Sequence, residues 1–157
     1  MEIIDLRKIP EIIPMLAKWH HEEWAHFNPR TTLENRIERY HEYLGDAPLP
    51  STYVACKNSD ILGSAAIVKH DMKTRMEYSP WLASVFVPPQ HRNNGIGTRL
   101  VSHVMTIAVK NGFDSLYLFT PDKERYYRKL GWSTIHKEFY SDTQVFVMSI
   151  NFREKQT

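Results

Sequence analysis

The chain has 157 residues, 42% of them hydrophobic, which suits one packed domain and leaves no room for a second of ordinary size. Its 20 basic and 18 acidic residues leave a net charge of +2, which argues against a polybasic nucleic-acid binder and against an acidic disordered tail. The single cysteine, Cys56, excludes an internal disulfide, and no apolar run approaches the ~18 residues needed to cross a bilayer. Met1-Glu2-Ile3-Ile4-Asp5 lacks the basic and then apolar pattern of a secretory leader, so the expected location is cytoplasmic, with no membrane partner.

In chain order, residues 2–6 read as a short strand. Pro10 suits the first turn of a helix along which Ile12, Ile13, Leu16 and Trp19 recur at helical spacing, until Asn28-Pro29 breaks it. Thr31 or Thr32 can cap a second helix with Leu33, Ile37, Tyr40 and Leu44 on one face. Residues 51–57 and 61–70 read as strands joined at Asn58-Ser59-Asp60, and a polar loop covers 71–80. A strong strand over 81–87 stops at Pro88-Pro89. Residues 95–110 carry a helical stripe of Ile96, Leu100, Val104 and Ile107, which Asn111-Gly112 ends. A strand over 116–120, a short helix from Asp122 to Gly131 and an antiparallel pair over 132–139 and 144–152 complete the chain. No internal repeat is present. The order predicts a mixed α and β (α+β) fold in a single domain spanning 1–157.

Glycine is scarce, at six residues, yet Gly95 and Gly97 stand together between the fourth strand and the third helix. A helix start leaves about four backbone N–H groups unpaired and carries roughly half a positive charge. Glycine there lets a ligand approach the backbone closely, and Arg92 and Arg99 add mobile positive charge, so the segment has the composition of a phosphate cradle. A Walker loop would need a lysine where Thr98 follows Gly97. A dinucleotide fingerprint would need a third glycine where Leu100 stands. Asp114, near the place of a ribose-binding acid, keeps that reading open.

Arg92-Asn93-Asn94-Gly95-Ile96-Gly97 resembles the Arg-x-x-Gly-x-Gly/Ala signature of the GNAT superfamily of N-acetyltransferases. Val85-Phe86-Val87-Pro88 looks like that family's fourth strand, and Tyr126-Tyr127-Arg128-Lys129-Leu130-Gly131-Trp132 resembles its aromatic-Tyr-x-Lys-x-Gly-aromatic segment. The resemblance implies a three-layer domain around a mostly antiparallel sheet whose fourth and fifth strands splay apart. It implies acetyl-coenzyme A as cosubstrate, with its pyrophosphate on the amides of Arg92, Asn93, Asn94, Gly95, Ile96, Gly97 and Thr98. Its pantetheine arm would lie beside Val85, Phe86 and Val87. A fourth-strand N–H would polarise the thioester carbonyl. Tyr127 matches the position that protonates the departing thiolate, while Tyr126 is expected to point elsewhere and pack. Several family members carry a glutamate near the start of the fourth strand; Trp81-Leu82-Ala83-Ser84 has no carboxylate. No general base is therefore assigned, and Glu77, Asp71, His70 and Glu23 are the groups that water could connect.

The function implied is direct transfer of an acetyl group to a primary amine, on a small molecule or a peptide, with a homodimer as the assembly related enzymes often adopt. The alternative is a non-catalytic acyl-coenzyme A sensor on the same fold. In the family the first two helices line the acceptor side, which brings Trp19, His20, Glu23 and Trp24 into consideration. Tyr140, Asp142, Asp71, Glu77 and Tyr78 fall in loops used around the acceptor, and acids with aromatics would suit a cationic amine. His21 and His26 are five residues apart and diverge on a helix, so no zinc motif is read there. Cys56 sits inside a predicted strand with no activating base, which makes it a packing residue. No Gly-x-Ser-x-Gly elbow indicates a hydrolase.

Overall fold

The computed structural model describes residues 1–153; the last four positions of the expected 1–157 span lie outside the described residues. The elements are β1 (Glu2–Asp5), α1 (Ile13–Trp24), α2 (Leu33–Glu42), β2 (Ser51–Lys57), β3 (Asp60–Val68), β4 (Trp81–Phe86), α3 (Ile96–Lys110), β5 (Ser115–Thr120), α4 (Glu124–Lys129), β6 (Ser133–Tyr140) and β7 (Thr143–Asn151). Their order and type follow the periodicity in the sequence. One boundary differs for a clear reason. Residues 10–12 form a 3-10 turn, and the α-helix begins at Ile13 rather than at Pro10. Pro14 has no N–H, and its ring would strike the carbonyl four residues earlier, so it is tolerated only in a first turn. The second helix is capped as expected: Thr32 Oγ1 accepts from the Asn35 N–H at 3.0 Å.

The strands form one seven-stranded sheet in the order β1-β2-β3-β4-β5-β7-β6. Every neighbouring pair is antiparallel except β4 with β5, which run parallel. Alternation along the strands divides the core between the two faces. Tyr53, Ala55, Ala65, Ile67, Leu116 and Leu118 meet Leu100, Val101 and Val104 of α3 on one side. Val54 meets Leu16, Ala17 and Tyr40 of α1 and α2 on the other. Ala66, Val68, Trp81, Val145 and Val147 form a third cluster beside them with Phe27. The result is helix, sheet and helix in three layers.

Two irregularities in the sheet create space. First, β4 and β5 pair only at Trp81 with Tyr117, whose N–H also donates to the Pro80 carbonyl at 3.0 Å. Beyond that point the strands part. Second, Phe86 pairs with Ser64 while Ala83 pairs with Ala66, so Ser84 and Val85 together oppose one residue of β3. This is a β-bulge, and Ser84 takes a left-handed φ of 53° within it. The extra residue reverses the facing of β4. Leu82 and Val85 share the α3 side, while Ala83 and Phe86 face the α1 side. Gly63 lies where β3 crosses close to the end of this bulge. A Cβ there would sit 2.8 Å from the Phe86 carbonyl oxygen, which explains why the position has no side chain.

Candidate active site

Where β4 and β5 separate, a cavity of about 970 Å³ opens. Leu82, Ala83, Ser84, Val85 and Val87 line one edge of the gap, and Leu118, Phe119 and Thr120 line the other. The cavity reaches the start of α3 at one end and the α1–α2 side at the other, where Trp24, Phe27, Arg36 and Tyr40 border it.

The turn into α3 is built to present backbone donors. Asn93 and Gly95 both adopt left-handed φ, at 66° and 77°, with Asn94 between them. The first helical bond runs from the Arg99 N–H to the Gly95 carbonyl, and no side chain caps the helix. The N–H groups of Ile96, Gly97 and Thr98 therefore have no carbonyl one turn earlier in the helix. A Cβ on Gly95 would meet nothing within 4 Å, so open space lies before the turn. Unpaired amides, the positive end of a 15-residue helix and open space together fit a phosphate group.

Of the cofactor residues expected from the sequence, Val85, Val87, Arg92, Asn93, Gly95, Ile96, Gly97 and Thr98 border the cavity. Phe86 and Asn94 do not. The Phe86 ring packs against Trp19, His20 and Trp24 beneath the sheet, a consequence of the bulge. The Asn94 amide donates to the carbonyls of His91 and Arg92 at 3.2 and 3.3 Å and braces the turn. Arg92 lies outside the helix, its Nε donating to the Val87 carbonyl at 2.8 Å. Arg99 is exposed and lies away from the cavity lining.

Both tyrosines of α4 reach the cavity. Tyr127 is only 7% exposed and packs against Trp132 and Tyr126. Burial, with smaller contributions from Tyr126 and Asp122, pushes its phenol well above the ordinary value, so it stays protonated. Tyr126 does more than the packing expected of it: its hydroxyl shares a 2.7 Å hydrogen bond with Thr98 Oγ1 and so ties α4 to the first turn of α3.

At the other end, Glu23, Trp24, His70, Asp71 and Tyr140 line the cavity, and Trp19 and His20 do not. His20 is 1% exposed and bonded on both ring nitrogens, to Tyr40 at 2.5 Å and Ser64 at 2.9 Å. Burial, then the charge of Arg36, lowers its pKa to about 3, which keeps it neutral. Burial raises Asp71 to about 7, against an opposing effect from Arg39. Glu77 is exposed and paired with Arg75 at 3.5 Å, away from the lining. Tyr78 stacks on Tyr117 and bonds to His136, and Asp142 occupies the β6–β7 turn at φ 62°. Cys56 is half-buried in β2, and desolvation raises its thiol, as suits a packing residue.

Three features of the cavity were not anticipated in the sequence. The Ser84 bulge has no local signal. Arg36 and Tyr40 have one: an arginine stands at helical spacing between the apolar Leu33, Ile37 and Tyr40, and it is buried.

Residues 13–132 match the Acetyltransferase (GNAT) family. A search of the curated proteins found no match. Among solved structures, an aminoglycoside 6'-N-acetyltransferase complexed with coenzyme A superposes with a TM-score of 0.74 at 19% identity, over 97% of each chain. The yncA protein of Salmonella typhimurium, solved with acetyl-coenzyme A, gives 0.72 at 18% identity over 97% of this chain and 94% of that one. Ribosomal-protein-alanine N-acetyltransferase of Brucella melitensis gives 0.72 at 17% identity over 96% and 99%. The chain belongs to the GNAT family of acetyltransferases, for which acetyl-coenzyme A is the cosubstrate. The dinucleotide reading falls with this. Leu100, at the place of the missing third glycine, is a fully buried core residue under the sheet. Among the described residues, no helix is long and apolar enough to cross a membrane.

Proposed function

We propose that this chain is an N-acetyltransferase in which a primary amine attacks the acetyl group directly. The observation that carries the reading is one continuous cavity joining three parts: the amide-rich turn at α3, the parted edges of β4 and β5, and an acceptor end under α1 and α2. Bound acetyl-coenzyme A would supply the acyl group as an activated thioester. The N–H groups of Gly95, Ile96, Gly97 and Thr98 would hold its pyrophosphate, and the free edge of β4 at Val85 and Val87 would hold its amide-bearing arm, as an added strand is held.

Proton movement is assigned to two side chains. Tyr127 Oη, kept protonated by burial, holds the proton that the leaving sulfur needs. Asp71 receives the proton of the amine through water. It lines the cavity, and at about 7 its carboxyl can take up and release a proton near neutrality. Asp71 thus supplies, from the loop before β4, the carboxylate that β4 itself lacks. That lack was the one feature favouring a non-catalytic sensor.

The test is a screen of primary amines with acetyl-coenzyme A, reading thiol release together with the mass of the acceptor. N-acetylation of at least one amine class is expected. Binding of acetyl-coenzyme A with no acetylation of any amine would overturn the reading and leave the sensor in its place.

A further inference from the structure

Arg36 stands out among the cavity residues that the proposed chemistry does not use. It projects from α2, is 7% exposed and borders the cavity. Among the described residues, no carboxylate pairs with it, and its buried Nε has no hydrogen-bond partner. Arg36 and Ser84 of the bulge both lie close enough to the Tyr40 hydroxyl to lower its pKa against the larger effect of burial. Tyr40 in turn is bonded to His20, and His20 to Ser64. Tyr40 and His20 are both held neutral, by burial foremost. A buried cation with no ion-pair partner is strongly unfavourable, and a fold tolerates it where a ligand completes the pair.

The position is informative. Through Tyr40 and Ser84, Arg36 stands beside the β4 bulge, where the strands part. Arg39, one turn along α2, acts on Asp71 across the same end of the cavity. This end therefore presents both signs, Arg36, Arg39 and Lys73 against Glu23 and Asp71. A polycationic acceptor would call for a surplus of acids there. One buried guanidinium, with its planar fork of donors, matches a single carboxylate.

We propose that the acceptor carries a carboxylate close to its primary amine, as an amino-carboxylic acid does, and that the Arg36 guanidinium binds that carboxylate. This rests on the N-acetyltransferase reading and narrows its substrate class. Asp71 then faces the amine while Arg36 holds the opposite charge.

The test uses matched pairs: free amino acids against their amides and against the amines left by removing the carboxylate. Wild-type kcat/KM is expected to favour the carboxylate-bearing member by ~100-fold. In Arg36→Gln this preference collapses to under ~5-fold. Peptides beginning with Asp or Asn form a further pair and show whether the carboxylate arrives on a free amino acid or on a peptide side chain. Calorimetry without acetyl-coenzyme A gives an independent reading, with the carboxylate-bearing amine expected to bind at least ~10-fold more tightly than its amide. That comparison decides the role of Arg36 even if no amine is acetylated, an outcome that would overturn the transferase reading instead. Equal use and equal binding of both members of each pair would overturn the proposal. So would a loss in Arg36→Gln that leaves the preference intact, since a purely structural or transition-state role would lower both members together. Should Arg36→Gln fail to fold, Arg36→Lys keeps the charge without the fork, and it is expected to reduce the preference by ~10-fold.

Discussion

Adjacent tyrosines on α4 have different surroundings, and the difference gives each a separate kinetic signature. Tyr127 is buried, with a phenol that holds its proton, whereas Tyr126 is bonded to Thr98 in the first turn of α3. Tyr127→Phe is expected to lower kcat by ~100-fold with little change in the affinity for acetyl-coenzyme A. Tyr126→Phe should instead raise the KM for acetyl-coenzyme A by ~3–10-fold and leave kcat nearly constant. Steady-state kinetics on both variants checks the division. Asp71 adds a pH dependence. Its carboxyl is held at about 7 in the folded chain, above its ordinary value, so the native state keeps a proton that the unfolded state has already lost. The associated stability is present at low pH and is lost as pH rises through about 7. Asp71→Asn should therefore melt several degrees higher than wild type at pH 8.5, and the gap should shrink as the pH falls and close only near pH ~4, where the unfolded carboxyl also keeps its proton. Activity runs the other way, because the base is the ionised form. Wild-type kcat/KM should rise as pH passes 7, and the variant should lose that rise and most of its activity, by ~10–100-fold.

At the level of elements, the cavity depends on how β3 and β4 meet. The bulge at Ser84 and Val85 turns Val85 and Val87 toward the α3 side and sends Phe86 to the α1 side, and Gly63 lets the two backbones approach. In Gly63→Ala the new methyl would lie 2.8 Å from a backbone oxygen and 3.2 Å from Leu100 and Val87 side-chain atoms. A backbone oxygen cannot swing aside as a side chain does, so a loss of ~1–3 kcal/mol is expected. Thermal melts should register it as a fall of several degrees. The shift should also weaken cofactor binding, since β4 forms one wall of the gap.

For the molecule as a whole, a ligand filling the gap between β4 and β5 would bind the native state alone and stabilise it by mass action. Acetyl-coenzyme A at ~100 times its dissociation constant should add about 2.7 kcal/mol, which for a chain of this size is roughly 5–10 °C in Tm. NADH should produce no shift. A thermal shift assay with both ligands makes the comparison, and the opposite result would count against the site as a coenzyme A cleft.

The order of elements, the capping of α2, the stop after α3 and the glycine turn into α3 were legible because each depends on neighbours in the chain: periodicity, a threonine before a helix, a glycine after one, two glycines at a helix start. The half of the site proposed for the cofactor lies on one strand, one turn and one helix, so a local motif could point to it. The acceptor half is assembled from α1, α2, the loop before β4 and the end of β6, which meet only in three dimensions. Asp71 acquires its proton affinity from burial, and Arg36 its lack of a partner from the buried face of α2 on which it stands. The sequence by itself determined the family and the layered fold, and it pointed to the turn proposed for the phosphate. Only the tertiary structure decided which charges face the acceptor, because burial and opposition across a cavity depend on residues far apart in the chain.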